Sequence, residues 1–341
     1  MTSWEIGPFT RRGEVLDRQP DLPWAAKDVF NPAAVVRDGR VHLLIRGEDT
    51  VGPYSGTSRI GLATSEDGLH FEVEPEPVLY PFQDEWHPWD WPGGCEDPRV
   101  VESPEGGYVC AYTAFDGKTA CLFVATSDDL RTWVKHGPAF AGTPYVRRWS
   151  KSGSVVTELV DGRLVAARFE QLHGCFVMYW GEGTCFAATS DDLVHWQPVQ
   201  FDAGADRFLS YRTESASWSV HRVPGTEVLR PLLFPRPGRF DSLLVEPGPP
   251  AIRTADGVVL IYNGASFTEA GVAYRPAQVL FDAGDPLSPI ARSTSPCLES
   301  DNLGGQVANV CFAQGLVLFN GAWHLYFGMG DSRIGLATAP A

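Results

Sequence analysis

The 341-residue chain combines 44% hydrophobic and 12% aromatic residues with a net charge of −15, from 42 acidic and 27 basic residues. That apolar content supports a packed core and excludes global disorder, and the acidic surface excludes nucleic acid and anionic lipid as natural partners. Met1 to Phe30 contains no apolar signal region, no run reaches membrane-spanning length, and the seven cysteines stand singly without a CxxC pair; these features predict reduced thiols in a soluble, cytoplasmic protein.

In chain order, one unit recurs: a Pro- or Gly-marked opening, a β-rich run, a short turn and an answering run. Asn31-Pro32 opens the first, which turns at Asp38-Gly39. Asp97-Pro98 opens the second, which turns around Glu105-Gly106-Gly107. Ser152-Gly153 opens the third, with its turn at Asp161-Gly162. Pro249-Pro250 opens the fourth, turning at Asp256-Gly257, and Ala313-Gln314 the fifth, turning at Asn320-Gly321. Asp-Gly or Asn-Gly between alternating apolar residues is a hairpin signal, because both turn residues must take positive φ.

Outer strands repeat as well: Arg59-IGLATS matches Arg333-IGLATA, and VATSDDLRTW (124–133) matches AATSDDLVHW (187–196). Trp133 and Trp196 are read as packing residues. Helical periodicity is almost absent. The expectation is an all-β, five-bladed propeller filling residues 1–341 as a single catalytic domain, with insertions at 80–94 and 203–246. Its inner strands begin around one axis, so Asn31, Asp97, Ser152 and Pro249 should converge at one end of a central pocket.

One loop, Gly93-Gly94-Cys95-Glu96-Asp97-Pro98-Arg99, carries the chemistry. Two adjacent acids precede a Pro-Arg and follow Trp86, Trp89 and Trp91, whose rings suit the C–H face of a sugar. The proline is expected to keep the residue before it extended. Glu96 should raise the proton affinity of Asp97 and Arg99 should lower it; the residues alone leave that balance open. No Walker loop, nucleophile elbow or clustered histidines occur, so no cofactor and no metal are expected.

These motifs resemble glycoside hydrolase family 130, the mannoside phosphorylases and mannosidases. The resemblance rests on NPAAVVRDGRVHLLIRGED (31–49), GGCEDPRVV (93–101), FDSLLVEPGPPAIRTADGVVLIYNG (240–264), DPLSPIARSTSPCLE (285–299) and the segment 309–339. It implies a five-bladed propeller with Asp97 as general acid, its proton reaching the glycosidic oxygen through a mannose hydroxyl. Two departures stand out. Tyr262-Asn263-Gly264 replaces the Tyr-His-Gly of the family's phosphorylases, and Trp149 stands before Ser150-Lys151-Ser152 where they carry a phosphate-binding arginine.

Glu246 also brings an acid where those phosphorylases have none, and Tyr-Asn-Gly with the MYWGE-then-ATSDDL pattern (178–193) is similar to the β-1,2-mannosidase branch. The expectation is an inverting hydrolase with Asp97 as acid and Glu246 as base, their carboxyls roughly 6.5–9.5 Å apart to admit water. Glu214, Glu170 and Glu182 are rival bases. The alternatives are a phosphorylase, in which Lys151, Arg148 and Arg168 still hold phosphate, and a sugar-binding propeller without catalysis. Asn31, Arg46, Glu48, Asp49, Glu96, Arg99, Asp116, Lys151, Arg168, Glu182, Glu214, Asn263 and Asp331 are the expected substrate-binding residues for an oligosaccharide or glycoside. No surface is marked for self-association.

Overall fold

All five hairpins form in the computed structural model, which describes residues 4–50, 56–200, 211–213, 216–218, 229–269, 271–301 and 303–341. The first group pairs Asp28–Arg37 with Arg40–Glu48, then Ser58–Ser65 and Glu72–Val73. The second runs Gly94–Glu102, Tyr108–Phe115, Ala120–Ser127 and Val134–Pro138. In the third, Ser154–Val160 pairs with both Arg163–Ala166 and Cys175–Trp180, followed by Cys185–Ser190 and Gln197–Pro198. Gly257–Thr268 centres the fourth, flanked by Leu244–Pro247, Ala251–Thr254 and Gly271–Phe281, with Pro289–Arg292 outside. The fifth comprises Cys311–Phe319, Ala322–Met329 and Arg333–Pro340, and its fourth strand is Thr10–Leu16 from the other end of the chain. The repeats did not reveal that strand, because its pairing is entirely non-local.

The turn chemistry follows the predicted dipeptides with one exception. Asp38-Gly39, Asp161-Gly162 and Asn320-Gly321 each place both residues at positive φ, which matches the twist of the flanking strands. At Asp256-Gly257 only the glycine does so. The Ser-Asp-Asp-Leu turns are near copies: Leu130 and Leu193 both take φ 67, and Trp133 and Trp196 each donate their indole N–H to that leucine's carbonyl at 3.0 Å. Both rings are buried, so they are packing residues.

Apolar burial joins the groups in a cycle. Leu44 and Ile60 of the first meet Tyr112 and Phe123 of the second; Val109 and Leu122 of the second meet Phe176 and Trp180 of the third. Val177 and Tyr179 pack on Leu260 and Tyr262 of the fourth, and Ile252 and Ile261 on Leu325 and Phe327 of the fifth. Val317 and Tyr326 then close back on Val29 and Leu43 of the first. Each of these clusters draws its side chains from two neighbouring groups of strands.

Polar ties cross the middle of this cycle. Arg99 donates from Nε to Gly248 O (2.8 Å) and from Nη2 to Pro247 O (2.9 Å), linking second and fourth groups. Gln314 donates to Asn31 O (2.7 Å) and Pro98 O (2.8 Å), linking the fifth to the first and second.

The distribution of burial predicts a contrast between two tryptophans. Trp196→Ala should destabilise the protein by about 3–5 kcal/mol, measured by urea unfolding, whereas Trp91→Ala, at a ring that is 45% exposed, should change stability by less than about 1 kcal/mol.

Candidate active site

The openings of the first two groups carry the same local distortion. Register slips between Phe30 and Ala33 and between Glu96 and Arg99, and the residues at the slip, Asn31 and Asp97, take φ 46 and 47. Ser152 at the third opening takes φ 60. Pro98 was expected to keep Asp97 extended; instead Asp97, like Asn31, adopts the left-handed conformation of a bulge, which re-aims a side chain out of the strand's alternation. Gly94 lets the loop approach the first group, because a Cβ there would lie 2.1 Å from Ser58 O.

These bulges bring the polar residues together. Asp97 Oδ1 accepts from Asn31 Nδ2 (3.0 Å) and Arg46 Nη1 (3.0 Å), and Lys151 Nζ stands 3.4 Å from Oδ2. Arg46 reaches Glu48 (3.0 Å) and Glu96 (3.1 Å) through Nη2, donates from Nε to Ser58 Oγ, and lies over the Phe30 ring. Beside Lys151, Ser152 donates its hydroxyl to Glu246 Oε1. The turn carrying Glu182 is held on both sides, by Gly181 N donating to Lys151 O (2.9 Å) and Val245 N donating to Gly183 O (3.3 Å). The convergence expected of Asn31, Asp97 and Ser152 is therefore present; Pro249 instead accepts a bond from Ser154, and Glu246 is the residue its group presents.

The charges divide these acids into two kinds. Burial works to raise the proton affinity of Asp97, but Arg46, Lys151 and the Asn31 amide outweigh it and hold Asp97 well below the usual carboxylate range. This settles the balance that the sequence left open; Arg99, whose guanidinium also bonds backbone carbonyls, lowers Asp97 as expected but after Arg46, Lys151 and Asn31. Glu96 is raised, chiefly by burial. Glu246 is pushed up to about 7, first by burial and then by the Glu182 charge, with Lys151 opposing. Asp331 rises to about 6, mainly by burial, although Arg46 and Lys151 pull it down. Lys151 is raised because Asp97, Glu96 and Glu246 more than offset its desolvation.

Several expected residues take other places. Arg168 is half-exposed away from the pocket, donating to Gly174 O and pairing with Glu105 at 3.2 Å. Asn263 is fully buried and spends both amide atoms on Ala313, a clamp between the fourth and fifth groups. Asp49 braces its own loop by pairing with Arg59 (2.5 Å) and accepting from Thr57 N. Asp116 accepts two backbone N–H bonds, from Lys118 and Thr119, inside a turn. Glu170 is exposed in a short turn, Arg148 is exposed near Phe186, and Glu214 lies outside the described residues.

Two of the three loop tryptophans serve packing rather than sugar. Trp86 and Trp89 sit 5.8 and 5.5 Å from Phe123, and Arg147 covers the Trp89 face at 3.7 Å; only Trp91 stays open, stacked on His87. Lys135 fastens this segment with a buried pair to Asp90 (2.6 Å) and a second pair to the exposed Asp84 (3.4 Å).

Conversely, the phenol of Tyr274 feels the charges of these acids, and the sequence alone did not single it out. Its phenol is raised to about 12, by burial and then by Glu246, Glu182 and Asp331. It lies opposite Ala265, far from any motif, and only the register of its strand could have found it. Among the described residues no cluster of His, Cys, Asp or Glu has the geometry of a metal site, and no helix is long and apolar enough to cross a membrane.

Comparison with known proteins places this geometry. The family model for β-1,4-mannooligosaccharide phosphorylases of glycoside hydrolase family 130 matches residues 8–341. A 1,2-β-oligomannan phosphorylase of Thermoanaerobacter sp. (strain X514) is 30% identical over 336 residues, covering 95% of this chain and 93% of the relative. A glycosyl hydrolase structure from Bacteroides ovatus superposes with a TM-score of 0.88 at 38% identity, covering 100% of this chain and 97% of the other. A further structure, with a TM-score of 0.86, 38% identity and the same coverage, comes from work describing glycoside hydrolases of this family that target β-1,2-mannosidic linkages in Candida mannan. With its Glu-Asp-Pro-Arg loop inside a match that spans nearly the whole chain, this protein belongs to glycoside hydrolase family 130, a family of mannoside-acting enzymes.

Proposed function

We propose that the chain is an inverting β-mannosidase acting on β-1,2-linked mannosides, built as one five-bladed propeller over residues 1–341, with Asp97 as acid and Glu246 as base. The observation that carries this reading is the charge of the pocket. Glu48, Glu96, Asp97, Glu182, Glu246 and Asp331 gather there around Arg46 and Lys151, with Lys27 on Glu48 and Arg99 near Asp97 and Glu246, so acids outnumber cations among the described residues, and Glu96, Glu246 and Asp331 are raised. A phosphate dianion needs several charge-assisted donors and would add charge to that surplus. Neutral water adds none.

Glu246 suits the activation of water. Ser152 holds Oε1, leaving Oε2 to take a proton as the water oxygen bonds to the anomeric carbon. A proton affinity near neutrality makes a carboxylate an effective base at that pH. On the other side the glycosidic C–O bond breaks, and its oxygen takes a proton that Asp97 supplies through a sugar hydroxyl, as the family resemblance implies. Asp97 is ionised while Arg46 and Lys151 face it; a neutral sugar packed against it adds desolvation, which moves the carboxyl toward the protonated form this step requires.

The curated relatives favour a second reading. They are named as phosphorylases, among them the 1,2-β-oligomannan enzyme and a β-1,2-mannobiose phosphorylase 28% identical over 332 residues. On that reading Lys151 and Arg46 hold phosphate in place of water.

Three measurements test these readings. With β-1,2-mannobiose, mannose release should proceed at the same rate with and without inorganic phosphate; accumulation of mannose 1-phosphate overturns hydrolysis in favour of phosphorolysis. Asp97→Asn should lower kcat roughly a hundredfold or more while sugar binding persists, and a wild-type protein that binds mannosides without turning them over would leave only a binding role. The kcat/KM profile should lose activity as pH falls below about 7, where Glu246 gains its proton. Because the Glu182 charge raises that proton affinity, Glu182→Gln should move this acid limb to lower pH; an unmoved limb argues against Glu246 as the titrating base.

A further inference from the structure

Trp149 is exposed by 47% although it immediately precedes Ser150-Lys151-Ser152, the segment that supplies a cation to Asp97 and a hydroxyl to Glu246. Its backbone neighbour is fixed: Ser150 N donates to Ala120 O, and Ser150 Oγ accepts from Leu122 N, both at 2.9 Å. The indole edge lies against Phe115, with ring centroids 6.4 Å apart. Its Nε1–H donates to Glu182 Oε2 at 2.6 Å. Glu182 is itself exposed, on the turn tethered to both Lys151 and Val245. An exposed acid is thus held by an exposed indole beside the site's only lysine among the described residues that pairs with Asp97.

We propose that Trp149 and Glu182 form an anion filter at the mouth of the pocket. Trp149 is a positioning residue: its N–H bond holds the Glu182 carboxylate on the turn that backbone bonds tie to Lys151 and to Val245, the residue before Glu246. The filter excludes small oxyanion dianions such as phosphate and sulfate from the side where water is activated. This rests on the hydrolytic reading above and names the acceptor specificity of the same site. Lys151 retains 17% side-chain exposure, so an entering oxyanion has a cation to seek. To reach it the anion meets the fixed Glu182 charge first, and two like charges at contact distance in a partly dry cleft repel by more than they do in bulk water. The indole adds bulk without a second cation. Phe115 limits the directions in which that ring can swing away.

Sulfate is the suitable probe, because it is a dianion that cannot be transferred and its binding does not require turnover. Titration calorimetry at constant ionic strength should find weak sulfate binding to the wild-type protein. Binding should be on the order of tenfold tighter in Glu182→Gln, which removes the charge yet still accepts the indole hydrogen bond. Trp149→Phe keeps the ring and loses the donor; it should tighten sulfate binding in the same direction by a smaller factor, and adding it to Glu182→Gln should produce little further change. Equal sulfate affinity in wild type and Glu182→Gln overturns the filter, as does a Trp149→Phe effect that persists undiminished in the Glu182→Gln background. Formation of mannose 1-phosphate by the wild-type enzyme overturns the hydrolytic reading instead, so the two failures are distinguishable.

Discussion

The arrangement of this protein depends on the left-handed bulge that places Asp97 between Glu96 and Arg99. A regular strand would send alternate residues of this segment to opposite faces. The bulge frees Asp97 from that alternation, so its carboxylate meets Asn31 and Arg46 of the preceding group and Lys151 of the following one. Arg99, two residues on, returns to the interior and bonds the Pro247 and Gly248 carbonyls. One irregularity thus supplies both a buried carboxylate paired with two cations and the arginine that ties the strand bearing Glu246. A non-glycine residue at φ 47 costs of order 1–3 kcal/mol, and the ion pairs and cross-group bonds around it keep the conformation in place.

The second organising fact is electrostatic. Arg46 is shared among Glu48, Glu96 and Asp97, and Lys151 among Asp97, Glu96 and Glu246. Cations so divided cannot hold every neighbour ionised. Asp97 receives both and stays charged, whereas Glu246 and Asp331 keep burial as their dominant influence and are raised. Their surroundings push the carboxyl groups of Asp97 and Glu246 apart in the sense opposite to the roles proposed for them, so the acid role of Asp97 depends on the sugar raising its proton affinity.

Much of the fold was legible because its signals are local. Asp-Gly and Asn-Gly turns, two-residue alternation and the repeated Ser-Asp-Asp-Leu–Trp unit each act within about a dozen residues, and the hairpins and packing tryptophans follow them. Asp97, Glu246 and Lys151, singled out through motif and departure from motif, come together in the fold. The misplacements share a cause. Arg168, Asn263 and Tyr274 lie on or beside strands, and which face a strand residue occupies depends on register: a slip of one residue exchanges inward and outward sets. Arg168 is sent outward to Glu105, Asn263 into a clamp on Ala313, and Tyr274 toward Glu246. Trp86 and Trp89 went to the core because Phe123 and Arg147 offered packing that composition does not reveal.

By itself, the amino-acid sequence determined the β character of the chain, its five hairpins, its family and the Glu-Asp-Pro-Arg loop. Turn chemistry, alternation and linear motifs are properties of neighbours along the chain. Tertiary structure decided how the groups meet in a cycle, that Thr10–Leu16 completes the last one, and which cations reach which acids. Those outcomes depend on burial and on distances between residues far apart in sequence, where a few ångströms decide whether a carboxyl keeps its proton. The Glu-Asp-Pro-Arg loop could be read as an acid pair from its residues, but that Asp97 holds its charge while Glu246 titrates near neutrality follows only from the charges folded around them.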